Sequence, residues 1–151
     1  MSDKYQFEKN NNIIKEVNSG FYNVTHSRNN ISIIRQKENK TTKEVYKWFQ
    51  LKDSDKIINS LKNVLNIDNI SFIINRGTDN NYRGTYVHKD LYLIILQWLD
   101  FKYSVQIISY LNNLQNKYIE KLNEDLDLSN QLVTTLCNKK DINNICGLYL
   151  C

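Results

Sequence analysis

The chain has 151 residues, of which 41% are hydrophobic and 24% are charged, and it carries a net charge of +4. This length suits one compact domain with a short extension, and the composition excludes a fully disordered chain. The longest apolar run, residues 91–99, is too short for a membrane span, which needs about 20 residues. Residues 1–12 lack the apolar segment of a signal peptide, so an intracellular protein without a membrane anchor is expected.

The first segments predict an arm followed by a hairpin. Residues 1–12 are polar and aperiodic, which indicates a disordered arm. Short apolar runs on either side of a Ser-Gly turn dipeptide predict β-strands near residues 13–18 and 21–26. The next stretch, residues 28–40, is ambiguous and could form a short helix that ends in a basic loop.

An amphipathic helix with a basic side is predicted around residues 41–52. Its apolar positions, Val45, Trp48 and Phe49, stand at helical spacing. Three lysines share another face at spacings of three and seven residues. These are Lys40, Lys43 and Lys47.

A second helix is predicted directly after the first. Asp53 or Ser54 suits its N-cap, and an apolar stripe marks the side expected to be buried. Two short helices joined by about one turn are typical of a helix-turn-helix unit. The stripe consists of Ile57, Ile58, Leu61, Val64 and Leu65.

A β-hairpin with a basic loop is predicted next. Residues 70–75 are rich in β-branched side chains, and residues 84–88 provide a partner strand. The loop between them carries Arg76 and Arg83, two of only four arginines in a chain that prefers lysine. Because a planar guanidinium can pair bidentately with phosphate or guanine, this hairpin is interpreted as a DNA-binding wing.

The rest of the chain has the apolar spacing of helices. A buried helix is predicted over residues 89–99, a longer one over 103–126 and another near 128–137, followed by an apolar tail. The apolar residues of the long helix recur in steps of four and three, as in a coiled coil. A homodimer through residues 103–126 would use this seam, although packing within the domain produces a similar stripe.

Three segments carry a recognisable pattern: an Asn-x-Thr motif at Asn23 and Thr25, a helix pair led by Trp48, and a Gly-Thr-Tyr-Val-His motif from Gly84 to His88. Together they resemble the KilA-N domain of large DNA viruses and phages, in particular its poxvirus members. The resemblance covers residues 13–112, with residues 1–12 as an arm and 113–151 as a helical extension. It implies an α+β fold with an N-terminal hairpin, a helix-turn-helix-like pair, a hairpin wing and C-terminal helices. The residues that match the family's motifs, and are implied to be structural, are Asn23, Thr25, Trp48, Gly84, Thr85, His88 and Trp98.

The chain departs from this family in two places. Lys89 stands where the family usually has a proline, but Asp90 still favours the start of the helix. Poxvirus relatives often join the domain to a zinc-binding RING with ubiquitin-ligase activity, whose paired Cys and His residues are missing from this sequence. Ligase activity is therefore not expected, although the domain could be the remnant of such a ligase.

An enzyme is not predicted. His88 has no neighbouring ligands for zinc and no nucleophile to complete a hydrolytic triad, so it is expected to cap a helix. Glycine-rich phosphate loops are absent from the sequence, and no cofactor is expected. The cysteines at positions 137, 146 and 151 lack the close pair of a structural zinc site, so no metal is expected either.

Positive charge is concentrated in the middle of the chain. Residues 21–89 contain twelve Lys and Arg against six Asp and Glu. This excess is typical of a surface that binds a polyanion, although a solvated basic face and an AT-rich genome would also account for lysines. The candidate DNA contacts are Arg35, Lys37, Lys40, Lys43, Lys47, Lys52, Lys56, Arg76, Tyr82, Arg83 and Lys89.

Nucleic-acid binding is the predicted function, with duplex DNA ahead of single strands. Phosphate contacts from the lysines would supply most of the affinity, and the Tyr82 ring could stack on a base. The alternative is a viral host-range or immune-evasion module that binds a host protein with the same scaffold. In either case the expected location is the cytoplasm of the host cell or sites of viral replication there.

Overall fold

The computed structural model describes residues 4–137, and the chain divides into two compact units, Met1–Ile108 and Ser109–Cys151. Strands and helices both occur, so the predicted α+β class is confirmed. The strands are β1 (Phe7–Asn10), β2 (Ile13–Glu16), β3 (Tyr22–Asn23), β4 (Ser71–Ile74) and β5 (Gly84–Val87). The helices are α1 (Val24–Lys37), α2 (Val45–Phe49), α3 (Ser54–Leu65), α4 (Lys89–Leu99) and α5 (Phe101–Cys137).

The five strands form one antiparallel sheet in the order β1-β2-β3-β5-β4. The predicted hairpins at 13–26 and 70–88 are both present, although the strands are shorter than predicted. Tyr22 lies opposite Val87 and Asn23 opposite Tyr86, so β3 and β5 join the two hairpins. The two hairpins therefore belong to one sheet, and the loop between β4 and β5 extends from it.

The predicted disordered arm is wrong for residues 7–10, which form β1. This strand pairs with β2 in a register that places Phe7 opposite Glu16. The Phe7 ring stacks on Tyr82 with centroids 4.7 Å apart, and the Tyr5 ring stacks on Phe72 at 5.6 Å. These partners are distant in sequence, which is why the local polar pattern gave no sign of a strand.

A buried carboxylate organises the turn that follows β2. Glu16 is 2% exposed. It accepts hydrogen bonds from the backbone N–H groups of Gln6, Asn18 and Ser19 and from the Ser19 hydroxyl, at 2.7–3.2 Å. Burial raises the pKa of Glu16, but the bonds from Ser19, Asn18 and Gln6 lower it by more, and the net pKa lies below its usual value.

Helix α1 begins inside the stretch predicted as the second strand. Asn23 ends β3 and caps the helix, with its side-chain oxygen accepting from the backbone N–H of His26 at 2.9 Å. An asparagine at this position satisfies an N–H group that the first turn leaves unpaired. The prediction of a strand over residues 24–26 is therefore wrong, and most of the ambiguous stretch 28–40 is helix.

Helix α2 is shorter than predicted. Lys40 and Lys43 precede it, so the expected basic face of three lysines on one helix does not exist. Two arginines of α1 instead donate to backbone carbonyls of the preceding segment and hold it outside helical geometry. The pairs are Arg28 Nε with Lys43 O (3.0 Å), Arg28 Nη2 with Thr42 O (3.2 Å) and Arg35 Nε with Thr41 O (2.8 Å).

Helix α3 follows the predicted bounds but not the predicted burial. Asp53 occupies the N-cap position without a side-chain hydrogen bond to the helix. Four of the five stripe residues are only partly buried, and Val64 is 82% exposed, so the predicted stripe is wrong at Val64. The buried residue is Ser54, whose hydroxyl donates to the backbone carbonyl of Trp48 and ties α3 to α2.

In the core of the first unit, α1 packs against β5 of the sheet and against α4. The predicted bounds of α4 are confirmed, and five of its side chains are buried: Leu91, Tyr92, Ile95, Leu96 and Leu99. A second apolar cluster is formed by buried Ile14, Ile74 and Tyr86 with partly buried aromatic rings around them. Burial of these side chains supplies the main stabilisation of the unit.

Helix α5 is one continuous helix of 37 residues, where two helices were predicted. Ser104 and Ile107 at its start are buried. The predicted break between residues 126 and 128 is absent, since the helix continues through them. The predicted apolar tail after residue 137 lies outside the described residues.

Candidate nucleic-acid interface

Two sequence motifs distant along the chain form one hydrogen-bonded junction beside the basic loop. The Asn23 side-chain amide donates to the backbone carbonyl of Arg83 at 3.2 Å. The Thr25 hydroxyl accepts from the backbone N–H of Thr85 at 2.9 Å. The start of α1 is thereby fixed to the point where the loop between β4 and β5 returns to the sheet.

Gly84 has a backbone conformation and surroundings that only glycine fits. Its φ is +144°, and a Cβ at this position would come within 2.7 Å of both Asn23 Oδ1 and Thr25 Cβ. The close approach of β5 to α1 therefore depends on the missing side chain. The matched motif residues Asn23, Thr25, Gly84 and Thr85 are thus structural, and they position the loop rather than extend from it.

His88 caps α4, as the sequence predicted. Its Nδ1 accepts from the backbone N–H of Asp90 at 3.1 Å, and its backbone N–H donates to the carbonyl of Ile70 at 2.8 Å. The ring also meets the edge of Phe21, with centroids 6.1 Å apart. Within residues 4–137, no cluster of three or more His, Cys, Asp or Glu side chains could hold a metal ion.

Four of the twelve cationic side chains in residues 21–89 form ion pairs. Arg35 contacts Asp100 at 3.3 Å as well as the carbonyl of Thr41, so this predicted DNA contact is engaged within the fold. Arg28 is similarly engaged by Glu44 at 2.8 Å. The other two pairs, Lys40 with Glu38 and Lys56 with Asp53, lie at the exposed surface, where ion pairs are weak and exchange with other partners.

Lys43 has a different partner, the predicted motif residue Trp98. Its Nζ lies 4.6 Å from the centroid of the Trp98 ring and 3.5 Å from the Trp98 carbonyl oxygen. A cation over an indole face is stabilised by the ring quadrupole. Lys43 and Trp98 therefore join the segment before α2 to α4. Trp48, the other motif tryptophan, is buried in α2.

The remaining cations of residues 21–89 form no ion pair with any residue that the structure describes. Both loop arginines belong to this group, and their side chains are exposed. Lys62 was not among the predicted contacts, and its helical position gave no signal that separated it from other surface lysines. Besides Lys43, these cations are Lys37, Lys47, Lys52, Lys62, Arg76, Arg83 and Lys89.

The loop between β4 and β5 has internal structure, so its arginines extend from an ordered segment. Asp79 accepts from the backbone N–H of Asn81 at 2.9 Å and begins a single 3-10 turn, Asn80–Tyr82. The Tyr86 hydroxyl donates to the carbonyl of Tyr82 at 2.6 Å, and burial raises the pKa of Tyr86 to about 12, so this donor stays protonated. The Tyr82 ring packs on Phe7, which covers one of its faces.

Comparison with known families finds the KilA-N domain over residues 5–117. The chain belongs to the KilA-N domain family. The match includes β1, in agreement with its place in the sheet, and domains of this family are generally associated with DNA binding. Comparison with curated proteins and with solved structures finds no match. In the described part of this KilA-N chain, no helix has the length and hydropathy needed to span a bilayer.

Proposed function

We propose that this KilA-N protein binds duplex DNA through the basic side chains of α2, α3 and the loop between β4 and β5. Single-stranded DNA is the second candidate ligand. The observation that carries the proposal is the unpaired positive charge of residues 21–89. Eight of the twelve cations there have no ion-pair partner among the described residues. Lys43 lies over the Trp98 ring, and the charge of the other seven is available to phosphates.

The two kinds of cation are suited to different contacts with DNA. Lys47 and Lys52 lie in or beside the helix pair, where an ammonium can neutralise a phosphate without a fixed geometry. Arg76 and Arg83 flank the 3-10 turn, and an arginine fork can enter a groove or grip a phosphate bidentately. The lysines would supply affinity, and the arginines would set how the domain is placed on the duplex.

The proposed role is binding without catalysis. His88, the side chain on which an enzymatic interpretation would depend, uses Nδ1 to accept from the first turn of α4. This role as a helix cap accounts for the position of His88 between β5 and α4, and no catalytic role is needed to explain it. A viral origin and action in the cytoplasm of the host cell belong to the same proposal, supported by the poxvirus-like motif order.

The decisive experiment is a binding titration with labelled duplex DNA, single-stranded DNA and RNA. Each should be tested at about 50 mM and 200 mM salt, since phosphate-dominated binding loses orders of magnitude in affinity across that range. We expect duplex DNA to bind most tightly and affinity to fall steeply with salt. Absence of binding to all three at the lower salt would contradict the proposal and favour a scaffold that binds a host protein.

A further inference from the structure

The distal part of α5, from Ser109 onward, exposes an apolar stripe along its length. Tyr118 is 64%, Leu122 49% and Leu126 58% exposed. Leu111, Leu122 and Val133 stand eleven residues apart, which is close to three whole helical turns. The stripe therefore runs almost parallel to the helix axis, as it does in a helix that packs lengthwise against another.

Local sequence preference gives only part of the support for a helix here. The segment has no alanine, and its strong helix formers, Leu, Lys, Glu and Gln, are interspersed with Asn, Asp, Ser and Thr, which are weak helix formers. Helices in water gain most of their stability from the packing of an apolar face, and isolated ones of modest length are marginal. A partner that buries this stripe would add the packing stabilisation that the exposed apolar face lacks.

We propose that the stripe binds the same stripe of a second copy of the chain, with the two helices antiparallel and a two-fold axis at Leu122. Around this residue the apolar pattern is nearly symmetric. Tyr118 and Leu126 stand four residues to either side, and Leu111 and Val133 stand eleven residues to either side. In the antiparallel pair, Tyr118 would meet Leu126 of the second copy and Leu111 would meet Val133.

Charge decides between the antiparallel and parallel arrangements. Asp125 lies at the border of the stripe, one turn after Lys121 on the same flank, and neither forms an ion pair with a described residue. An antiparallel pair brings each Asp125 beside Lys121 of the second copy, since like flanks face each other. A parallel pair would set Asp125 against the other flank, where Ile119, Asn123 and Asn130 offer no positive charge.

The length of the stripe is sufficient for a stable pair. From residue 111 to residue 136 it extends for about 39 Å at 1.5 Å per residue. This is between three and four heptads, the length at which apolar seams sustain two-stranded coils. Gln115 and Ser129 interrupt the apolar seam seven residues to either side of Leu122, so they would face each other in the antiparallel pair.

Sedimentation equilibrium of the full-length chain tests the existence of the dimer. We expect a mass twice that of the 17.9 kDa chain, and loss of the dimer on Leu122→Asp. Asn113→Asp introduces the same charge on the opposite face and should leave the dimer intact. Near-UV circular dichroism would verify that the first unit stays folded in both. A monomeric parent chain, or a dimer that survives Leu122→Asp, would overturn the proposal.

Disulfide formation tests the orientation. In chains whose three native cysteines are replaced by serine, Tyr118→Cys and Leu126→Cys variants should cross-link when mixed under mild oxidation. Neither should cross-link alone, because two copies of position 118 would lie about 12 Å apart along the antiparallel axis, beyond disulfide reach. Self-cross-linking of the Tyr118→Cys chain would show a parallel pair and overturn the antiparallel arrangement.

Discussion

The Asn23 side chain donates to the backbone carbonyl of Arg83, 3.2 Å away and 60 residues later in the chain. The other end of the same amide accepts from the backbone N–H of His26 and caps α1. One side chain therefore satisfies a helix terminus and anchors the end of the basic loop. The Asn-x-Thr and Gly-Thr motifs are therefore two halves of one junction.

Replacing Gly84 with alanine should destabilise the domain more than the same change at Gly77. Both glycines have positive φ, +144° and +80°, but a Cβ at Gly84 would clash with Asn23 and Thr25, whereas nothing lies within 4 Å at Gly77. We expect Gly77→Ala to lower the free energy of unfolding by about 1 kcal/mol from backbone strain. Gly84→Ala should cost about 1–3 kcal/mol more from overpacking.

Urea unfolding of the two glycine variants and the parent chain measures this difference. Gly77 is the nearest control, because an alanine there is strained by a positive φ without a clash, while the φ of +144° at Gly84 adds strain of its own. Equal destabilisation of the two variants would mean that the close approach of β5 to α1 is not what selects glycine at position 84.

His88→Ala should lower the free energy of unfolding by about 0.5–2 kcal/mol, the usual range for loss of a helix cap. The change removes the acceptor for the Asp90 N–H, while the backbone bond to Ile70 remains. His88→Asn keeps an acceptor at this position and should recover much of the loss. Thermal unfolding monitored by circular dichroism would compare them, and an alanine variant as stable as the parent would contradict the assigned cap.

The stability of the domain should fall in acid partly because of Glu16. Its folded pKa lies below the usual value, so the charged form is favoured in the folded chain. The charged Glu16 side chain therefore adds to the free energy of unfolding above its unfolded pKa, near 4.5. This stabilisation is lost as pH falls through the lower folded pKa. Urea unfolding between pH 7 and pH 3 should therefore show parent and Glu16→Gln chains converging as pH falls.

The glutamine variant keeps the shape of the side chain, but it loses the charge and one of the two oxygens through which Glu16 accepts hydrogen bonds. At pH 7 it should be less stable than the parent, because its single neutral oxygen accepts more weakly and its NH2 group leaves part of the Ser19, Asn18 and Gln6 donors without an acceptor. If the stability difference between the two chains were independent of pH, the charge of Glu16 would not contribute to the turn.

Elements with local signals were predictable, and elements set by distant contacts were not. The predicted α4 bounds agree with the structure because His88 marks the strand-to-helix junction and a continuous apolar run follows. Helix α2 was predicted too long because the periodicity of its lysines is local, whereas Arg28 and Arg35 engage the carbonyls before it from another helix. Strand β1 was missed for the same reason.

In the candidate site, too, roles with a local signal were predictable and roles set by distant contacts were not. His88 was correctly predicted as a cap, since a residue before an apolar helix has few other roles. Arg35 was grouped with the DNA contacts by charge alone, and the sequence could not show that Asp100 would lie 3.3 Å from it. Charge composition identifies a basic surface, but only the fold determines which cations are already paired.

Arg76→Ala combined with Arg83→Ala should weaken duplex DNA binding by about 1–3 kcal/mol for each arginine that touches the duplex. Both side chains are exposed on an ordered loop, and Asp79, the nearest acid in sequence, accepts from Asn81 and pairs with neither arginine. The arginines thus have no described ion pair within the chain that would compete with DNA. Equilibrium titrations of parent and variant at fixed salt would measure the weakening.

Two matched variants separate arginine geometry from bulk charge. Arg76→Lys with Arg83→Lys keeps both charges and should restore only part of the affinity, because lysine cannot form the bidentate fork. Lys139→Ala with Lys140→Ala removes two charges beyond the matched domain and should change binding little. A double alanine variant that binds duplex DNA as the parent does, with unchanged thermal stability, would remove the loop from the interface. Binding would then have to depend on the lysines of α2 and α3, and the salt dependence would remain while the arginine dependence vanished.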